Sequence, residues 1–177
     1  ILAAFLGVRW LKTLLRPDGE ISPDRGQPLT YEAFLTQIEG RGSVSCLKHV
    51  LPPILELEGM KLHSLKKNVV GFFVGERELA HVHLEGRIDL ALPVEIGENL
   101  VTRGVVSHHP SHDDNGWYVH EIRNRTEVQE TVWFIRLSHL LYEVSRRGIH
   151  DPITQAELDA FSASENCVAA MLASANR

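Results

Sequence analysis

Residues 77–92 read RELAHVHLEGRIDLAL. Polar and apolar residues alternate on both sides of Glu85-Gly86, a pattern that is typical of two half-buried strands joined by a tight turn. Strands joined so closely run antiparallel. The stretch therefore predicts an antiparallel hairpin with one buried face and one polar face.

Two turns fit this hairpin, and they orient its side chains differently. A two-residue turn at Glu85-Gly86 sets His83 opposite Ile88, which mixes polar and apolar side chains on both faces. A three-residue turn over residues 85–87 pairs Leu84 with Ile88 and so keeps one face continuously apolar. We predict the three-residue turn, because the glycine within it adopts a left-handed conformation at little steric cost.

The predicted turn gathers His81, His83 and Asp89 on the polar face. In this register His83 lies opposite Asp89, and His81 lies two residues away on the same face. Two imidazoles and a carboxylate at this spacing can orient a tautomer, transfer a proton or bind a metal. A solvated sheet face with a local His–Asp hydrogen bond is the simplest structural interpretation. The residues alone leave these alternatives open.

A polar loop over residues 106–116 is the second candidate site. It contains His108-His109-Pro110, and loops held by a sheet are where binding groups often lie. The residue before a proline is biased to an extended backbone, so His109 has a restricted direction. We expect residues 112–114 to be solvent-exposed, and Trp117 suits the core or the anchoring of the next strand.

The remaining pattern predicts helices and strands around this hairpin. Strands are indicated at about 69–74, 77–84, 88–92 and 117–122. Helix signals begin at Thr30, at Pro93 and at a Thr126-x-x-Gln129 capping box, and we interpret Pro52-Pro53 as a boundary. The last helix, 126–146, is expected to pack on the sheet. The predicted core contains Val82, Leu84, Ile88, Leu90, Leu92, Val132, Ile135 and Leu141.

This order of elements predicts an α+β fold with an antiparallel sheet flanked by helices. We divide the chain into an N-terminal apolar segment and linker (1–29), an α+β domain (30–150) and a C-terminal helical extension (151–177). Its 177 residues, 44% of them hydrophobic, are enough for one domain with a sizeable core.

Composition indicates which classes of partner and which cellular compartment to expect. The formal net charge is −5 and the basic residues are scattered, so no nucleic-acid partner is expected. Cys46 and Cys167 are too few for a disulfide scaffold, which favours reduced thiols and a cytoplasmic protein. The oligomeric state is not predictable from these features.

Residues 1–15 read ILAAFLGVRWLKTLL and form an apolar run interrupted by Arg9 and Lys12. The run as it stands is too short to span a bilayer. It fits an amphipathic helix packed on the domain, and it also fits the end of a membrane anchor or signal segment. Membrane association through this segment therefore stays an open alternative.

The hairpin and the elements after it resemble the luciferase domain of fungal luciferases and of many bacterial proteins. The resemblance covers about residues 69–142 and rests on an ordered set of motifs. A Glu-x-Ala-His-x-His segment and a Leu-Ala-Leu run are followed by a glycine, a His-Pro loop, a tryptophan-containing strand and a long helix. In this chain they are residues 78–83 and 90–92, Gly104, His109-Pro110, Trp117 and residues 126–142.

Bacterial members of this family are more similar than the fungal enzymes. Their Asp-Leu-x-Leu-Pro strand, His-His pair and Gly-Trp pair match residues 89–93, His108-His109 and Gly116-Trp117. The fungal hairpin is longer and richer in histidine, and it carries a histidine roughly where Asp89 stands here. This departure sets the chain apart from the luminescent enzymes.

The resemblance implies a protein that binds a small aromatic or enolic molecule. Fungal luciferases oxidise a hydroxylated α-pyrone with molecular oxygen and are thought to need neither a metal nor an organic cofactor, so the family implies a histidine base and no cofactor. Light emission is not expected, because most members come from organisms that do not glow. We assign catalytic roles to His81, His83, Asp89 and His109, and ligand contacts to His108, Trp117 and Arg87.

Three alternatives to this oxygenase remain. They are a metal-dependent enzyme that uses the same histidines, a non-catalytic module that binds a small ligand, and a membrane-tethered structural domain. The order of elements is also similar to that of small MmcQ/YjbR-type domains, some of which are proposed to bind nucleic acid. The net charge of −5 without a basic stripe argues against that partner, and a fold alone does not specify a function.

Overall fold

The computed structural model of the protein describes residues 26–38, 47–110, 116–148, 150–152, 154–156 and 159. Residues 18–138 belong to one compact unit, and the residues from His139 onward belong to a second. The interpretation of residues 1–15 lies outside the described residues. The domain boundaries after residues 29 and 150 stay predictions.

The described residues form strands and helices in the following chain order: β1 (Gln27–Pro28), α1 (Tyr31–Ile38), α2 (Leu51–Leu55), β2 (Met60–Lys66), β3 (Val69–Val74), β4 (Arg77–His83), β5 (Arg87–Ala91), α3 (Val94–Thr102), β6 (Ser107–His108), β7 (Trp117–Glu121) and α4 (Arg125–Arg147). The strands lie in one sheet in the order β1-β2-β3-β4-β5-β7-β6. Every neighbouring pair is antiparallel. The predicted α+β class with an antiparallel sheet is confirmed.

The β4–β5 hairpin has a three-residue turn, but the predicted pairing was wrong by two residues. Ile88 pairs with Val82 rather than Leu84, so the turn is formed by residues 84–86. The N–H of Gly86 donates to the carbonyl of His83 (3.0 Å), and Gly86 has a φ of +102°. Because the shift is an even number of residues, each side chain keeps the face that was predicted for it.

Helix α4 begins at Arg125, one residue earlier than predicted. The side chain of Asn124 accepts the N–H groups of Thr126 (2.9 Å) and Glu127 (3.1 Å), and Glu127 accepts the N–H of Asn124 (3.0 Å). The capping box is therefore Asn124-x-x-Glu127, and the predicted box at Thr126 was wrong. Asparagine and threonine both cap well, so the sequence offered two overlapping boxes.

The two prolines mark the start of a helix. Pro52-Pro53 lies in the first turn of α2, where backbone N–H groups have no partner within the helix and proline is tolerated. The predicted boundary therefore lies just before the prolines, between residue 50 and the first residue of α2. The predicted cap of α1 is confirmed, since the hydroxyl of Thr30 accepts the N–H of Ala33 at 3.2 Å.

The core of the larger unit lies between the sheet and the part of α4 that precedes His139. Its predicted members on β4, β5 and the turn are buried, together with Ile135. Val132 is half-buried, contrary to prediction, because the buried stripe of α4 runs through Val128, Thr131, Ile135 and Ser138. Leu141, which belongs to the second unit, is also buried. The described part of the chain contains no helix that is both long and apolar enough to cross a membrane.

Candidate functional site

Alternation along β4 and β5 places four side chains on the polar face of the sheet. His81 pairs with Asp89, and His83 pairs with Arg87, so all four project from the same face. A fifth group, His109, comes from the loop after β6. Its backbone N–H lies 3.4 Å from the carbonyl of Trp117 on β7, and β7 is the neighbour of β5.

Asp89 lies at the centre of this face, and its side chain has no solvent exposure. One carboxylate oxygen, Oδ2, lies 2.8 Å from His81 Nε2, 2.9 Å from His83 Nε2 and 3.3 Å from His109 Nε2. Burial raises the pKa of Asp89, but the hydrogen bonds from His81 and His83 outweigh it and hold the pKa well below its usual range. The three predicted catalytic histidines thus converge on the predicted carboxylate. We call these four residues the Asp89 cluster.

Glu78 joins the cluster although it was not predicted as a site residue. His81 Nδ1 donates to Glu78 Oε1 at 2.6 Å, so His81 lies between two carboxylates. In a regular strand, residues 78 and 81 would point to opposite faces. The pairing with β3 jumps from Ala80 to Glu78 across consecutive residues of β3, and this β-bulge brings Glu78 to the face of His81.

The two carboxylates determine the charge of His81. Burial disfavours the charged ring and lowers the pKa of His81, but the hydrogen bonds to Asp89 and Glu78, together with their charges, outweigh burial and raise it to about 9. In the arrangement described here, both ring nitrogens of His81 therefore carry protons at neutral pH.

Arg87 adds a permanent positive charge at the edge of the Asp89 cluster. Its Nη2 lies 2.8 Å from His83 Nε2 and 3.4 Å from His83 Nδ1, and its Nε lies 3.3 Å from Asp89 Oδ1. The guanidinium side chain is 31% exposed, whereas Asp89 is fully buried. Arg87 therefore lies between the buried carboxylate and solvent.

The comparisons with known proteins agree with the resemblance on which the predictions were based. Residues 76–138 match the family model of the luciferase domain. This match places residues 76–138 in the luciferase-domain family. No curated protein and no solved structure matches it. The matched segment of the luciferase domain runs from β4 into α4 and includes Glu78 and all four residues of the Asp89 cluster.

Of the predicted ligand contacts in the luciferase domain, Trp117 lies beside the cluster and His108 does not. The Trp117 ring is half-buried, and its centroid lies 5.3 Å from that of His81. His108 pairs with Tyr118, so it projects from the opposite face of the sheet, where it lies 3.7 Å from Glu98. Adjacent residues on a strand point to opposite faces, which separates His108 from His109. Residues 112–114 lie outside the described part of the chain.

A separate polar pair lies between the sheet and α4. His120 Nδ1 donates to the carbonyl of Val105 (3.0 Å), and His120 Nε2 lies 3.5 Å from Glu130. Burial raises the pKa of Glu130; the charge of His120 opposes this effect and that of Glu127 adds to it. Both members of the pair are nearly buried. Nothing in the sequence singled out Glu130, because its helix position becomes buried only through packing.

The Asp89 cluster offers three kinds of chemistry. It holds positive charge at Arg87 and His81, and it provides imidazole nitrogens that can exchange protons. Donor atoms of His81, His83 and Asp89 also lie within 4.8 Å of one another, as metal ligands do. Together with an adjacent aromatic ring, these groups suit a small molecule that has both an apolar ring and an acidic hydroxyl.

Proposed function

We propose that the luciferase domain binds a small enolic or aromatic molecule at the Asp89 cluster and oxygenates it with molecular oxygen. The observation that supports this proposal is the convergence of three imidazole nitrogens on one buried oxygen of Asp89, Oδ2. A group of this kind within a luciferase domain suits chemistry that begins by removing a proton.

The side chains at the edge of the cluster favour a flat ligand with an acidic hydroxyl group. Trp117 presents an aromatic surface next to His81, which would stack against a planar ring. Arg87 is partly exposed and always charged, so it would stabilise the anion that forms when the hydroxyl loses its proton. An enol or phenol combines these two properties, and a sugar or an amine does not.

We assign the general base to His109. His81 donates from both ring nitrogens to carboxylates, and His83 Nε2 is already in contact with Arg87 and Asp89. His109 makes the longest of the three contacts to Asp89 (3.3 Å). A longer contact is weaker, so His109 is the imidazole whose contact with Asp89 costs least to exchange for a ligand.

The proposed reaction balances without any further reductant. His109 takes the hydroxyl proton of the ligand, and the resulting anion transfers electron density to molecular oxygen. A carbon–oxygen bond forms, both atoms of the oxygen molecule enter the product, and His109 returns the proton. The positive charge of Arg87 at the edge of the cluster would favour the first of these steps.

Oxygen consumption by the purified chain, with its metal content measured, tests this proposal against a panel of hydroxypyrones and phenols. We expect His109→Gln to lower the rate for an accepted compound by about 100-fold or more, which is the usual contribution of a general base. His49→Gln is the matched control, because His49 is exposed in the turn before α2. Its rate should equal that of the wild type.

Two results would contradict the proposal. A compound that binds in equilibrium dialysis but is never consumed would make the domain a binding module rather than an oxygenase. Full activity of His109→Gln would remove the general base from His109.

A further inference from the structure

We infer that His81, His83 and Asp89 bind a divalent first-row transition-metal ion. Two imidazoles and one carboxylate leave coordination positions open, and this donor set is the one that holds iron(II) in oxygen-activating enzymes without haem. The inference rests on the proposed function, because an ion of this class would supply oxygen chemistry at the same cluster. His109 stays beside the metal as the base.

The donor atoms have the spacing that a metal requires. Asp89 Oδ2 lies 2.8 Å from His81 Nε2 and 2.9 Å from His83 Nε2, and all three atoms lie within 4.8 Å of one another. Metal–nitrogen and metal–oxygen bonds of about 2.1 Å place adjacent ligands of an octahedron about 3.0 Å apart. Small side-chain rotations would therefore admit an ion among them.

A positive charge already lies against His83 in this arrangement. Arg87 Nη2 lies 2.8 Å from His83 Nε2 and 3.4 Å from His83 Nδ1, which places it over the imidazole ring and away from the lone-pair direction of Nε2. A divalent ion would replace this charge by bonding directly to His83 Nε2 and Asp89 Oδ2, which lie 2.9 Å apart.

The second oxygen of Asp89 supplies an independent observation. Among the described residues, Oδ1 is buried and makes no hydrogen bond, although Arg87 Nε lies 3.3 Å away. A buried carboxylate oxygen without a donor is costly. Coordination to an ion through either or both oxygens satisfies the carboxylate without a further protein donor.

Glu78 supports one of the proposed ligands without binding the ion itself. It accepts the N–H of His81 Nδ1 at 2.6 Å and is only 8% exposed. A carboxylate on the far nitrogen holds the ring in place and directs the lone pair of the near nitrogen to the metal, as it does in most histidine-ligated metal sites. The β-bulge that brings Glu78 to this face therefore acts on the proposed site.

Arg87 would be displaced by the ion. In the arrangement described here its guanidinium is the cation nearest to His83 Nε2, and its partly exposed side chain can turn to solvent. Removal of this charge should tighten metal binding, because like charges repel at this distance. The variant Arg87→Gln thus distinguishes two interpretations of the cluster. Metal binding should become tighter if the cluster is a metal site, whereas a cluster that is only a network of ion pairs would lose one of its partners and gain no metal affinity.

Metal binding by the full chain tests the inference directly. Chelator-stripped protein is titrated with iron(II) without oxygen and, separately, with cobalt(II), and bound metal is measured by calorimetry, elemental analysis and the cobalt absorption bands. We expect one ion per chain. His81→Ala and Asp89→Asn should each weaken binding by about 100-fold or more, Glu78→Gln by about 10-fold, and Arg87→Gln should strengthen it. His49→Ala should change nothing.

The inference is overturned if folded wild-type protein binds no stoichiometric metal, or if His81→Ala and Asp89→Asn both bind as the wild type does. Should Asp89→Asn lose its fold, judged by circular dichroism, His83→Ala takes its place. Failure of the metal site differs from failure of the proposed function. Folded protein that binds no stoichiometric metal and yet consumes oxygen overturns only the metal site. Loaded protein that consumes no oxygen with any compound overturns only the oxygenase.

Discussion

At the scale of single residues, Asp89 determines the electrostatics of the polar face. Its carboxylate is fully buried and is surrounded by nitrogen atoms of His81, His83, His109 and Arg87. Burial of a charge is expensive unless partners of opposite charge and hydrogen bonds offset it. The cluster is therefore stable only while its carboxylate is present, whatever ligand or ion the face binds.

The stability of metal-free protein measures this dependence. We expect Asp89→Ala to lower the free energy of unfolding by about 3 kcal/mol, because it leaves partly buried cations without their counter-charge. Glu85→Ala, at a residue whose side chain is 64% exposed and 3.6 Å from His83, should change it by about 0.5 kcal/mol or less. Urea denaturation measures both values. Equal losses in the two variants would mean that Asp89 has no special electrostatic role.

Glu130 provides a second residue-scale prediction, in which stability depends on pH. Its pKa is raised in the folded protein, mainly by burial, with Glu127 adding to the effect and His120 opposing it. The folded state therefore binds the Glu130 proton more tightly than the unfolded state does. As pH rises from 4.5, the ordinary pKa of glutamate, through the raised pKa, Glu130 ionises and the free energy of unfolding falls.

Glu130→Gln should remove this cost. We expect the variant to be more stable than the wild type at pH 7, and the difference should shrink as pH falls towards 4.5. Thermal melts of both proteins across that range measure the difference, and Glu127→Gln serves as the neighbouring control for a general loss of negative charge. A gap that grows on acidification would contradict the raised pKa.

At the scale of elements, the start of α4 is held by a cap that the sequence pattern located two residues too late. Asn124 satisfies two N–H groups of the first turn, and Thr126 makes no cap within the described structure. We expect Asn124→Ala to cost about 1 kcal/mol of unfolding free energy, and Thr126→Ala about 0.5 kcal/mol or less. Chemical denaturation compares them. A larger loss of unfolding free energy in Thr126→Ala than in Asn124→Ala would show that Thr126 caps the helix, as the sequence predicted.

At the scale of the whole molecule, metal occupancy should appear as thermal stability. An ion that binds only the folded chain adds about 2.7 kcal/mol when its free concentration is 100 times Kd. For a chain of this length, that corresponds to a Tm increase of about 5–10 °C. Differential scanning fluorimetry with and without cobalt(II) measures it. A similar increase in Asp89→Asn would trace the effect to another site.

The faces of the hairpin were predictable, whereas its pairing was not. Alternation in residues 77–92 is a local property, and it placed His81, His83 and Asp89 together on one face. The pairing depends on contacts outside the hairpin: the N–H of Leu84 donates to the carbonyl of Asn68, and that of Ile122 donates to Gly86 (2.6 Å). Strand β2 (Met60–Lys66) escaped prediction because only Leu62 among its residues is buried.

Three features were predictable because they follow from residues that are near one another in the chain: the strand character of the hairpin, the faces of its side chains and the match of residues 76–138 to the luciferase domain. The set of groups that meet at Asp89 depends instead on tertiary contacts. Glu78 reaches His81 through a bulge that pairing with β3 creates, and His109 reaches Asp89 because β7 lies beside β5. Such contacts depend on pairing between distant segments, which local periodicity does not predict.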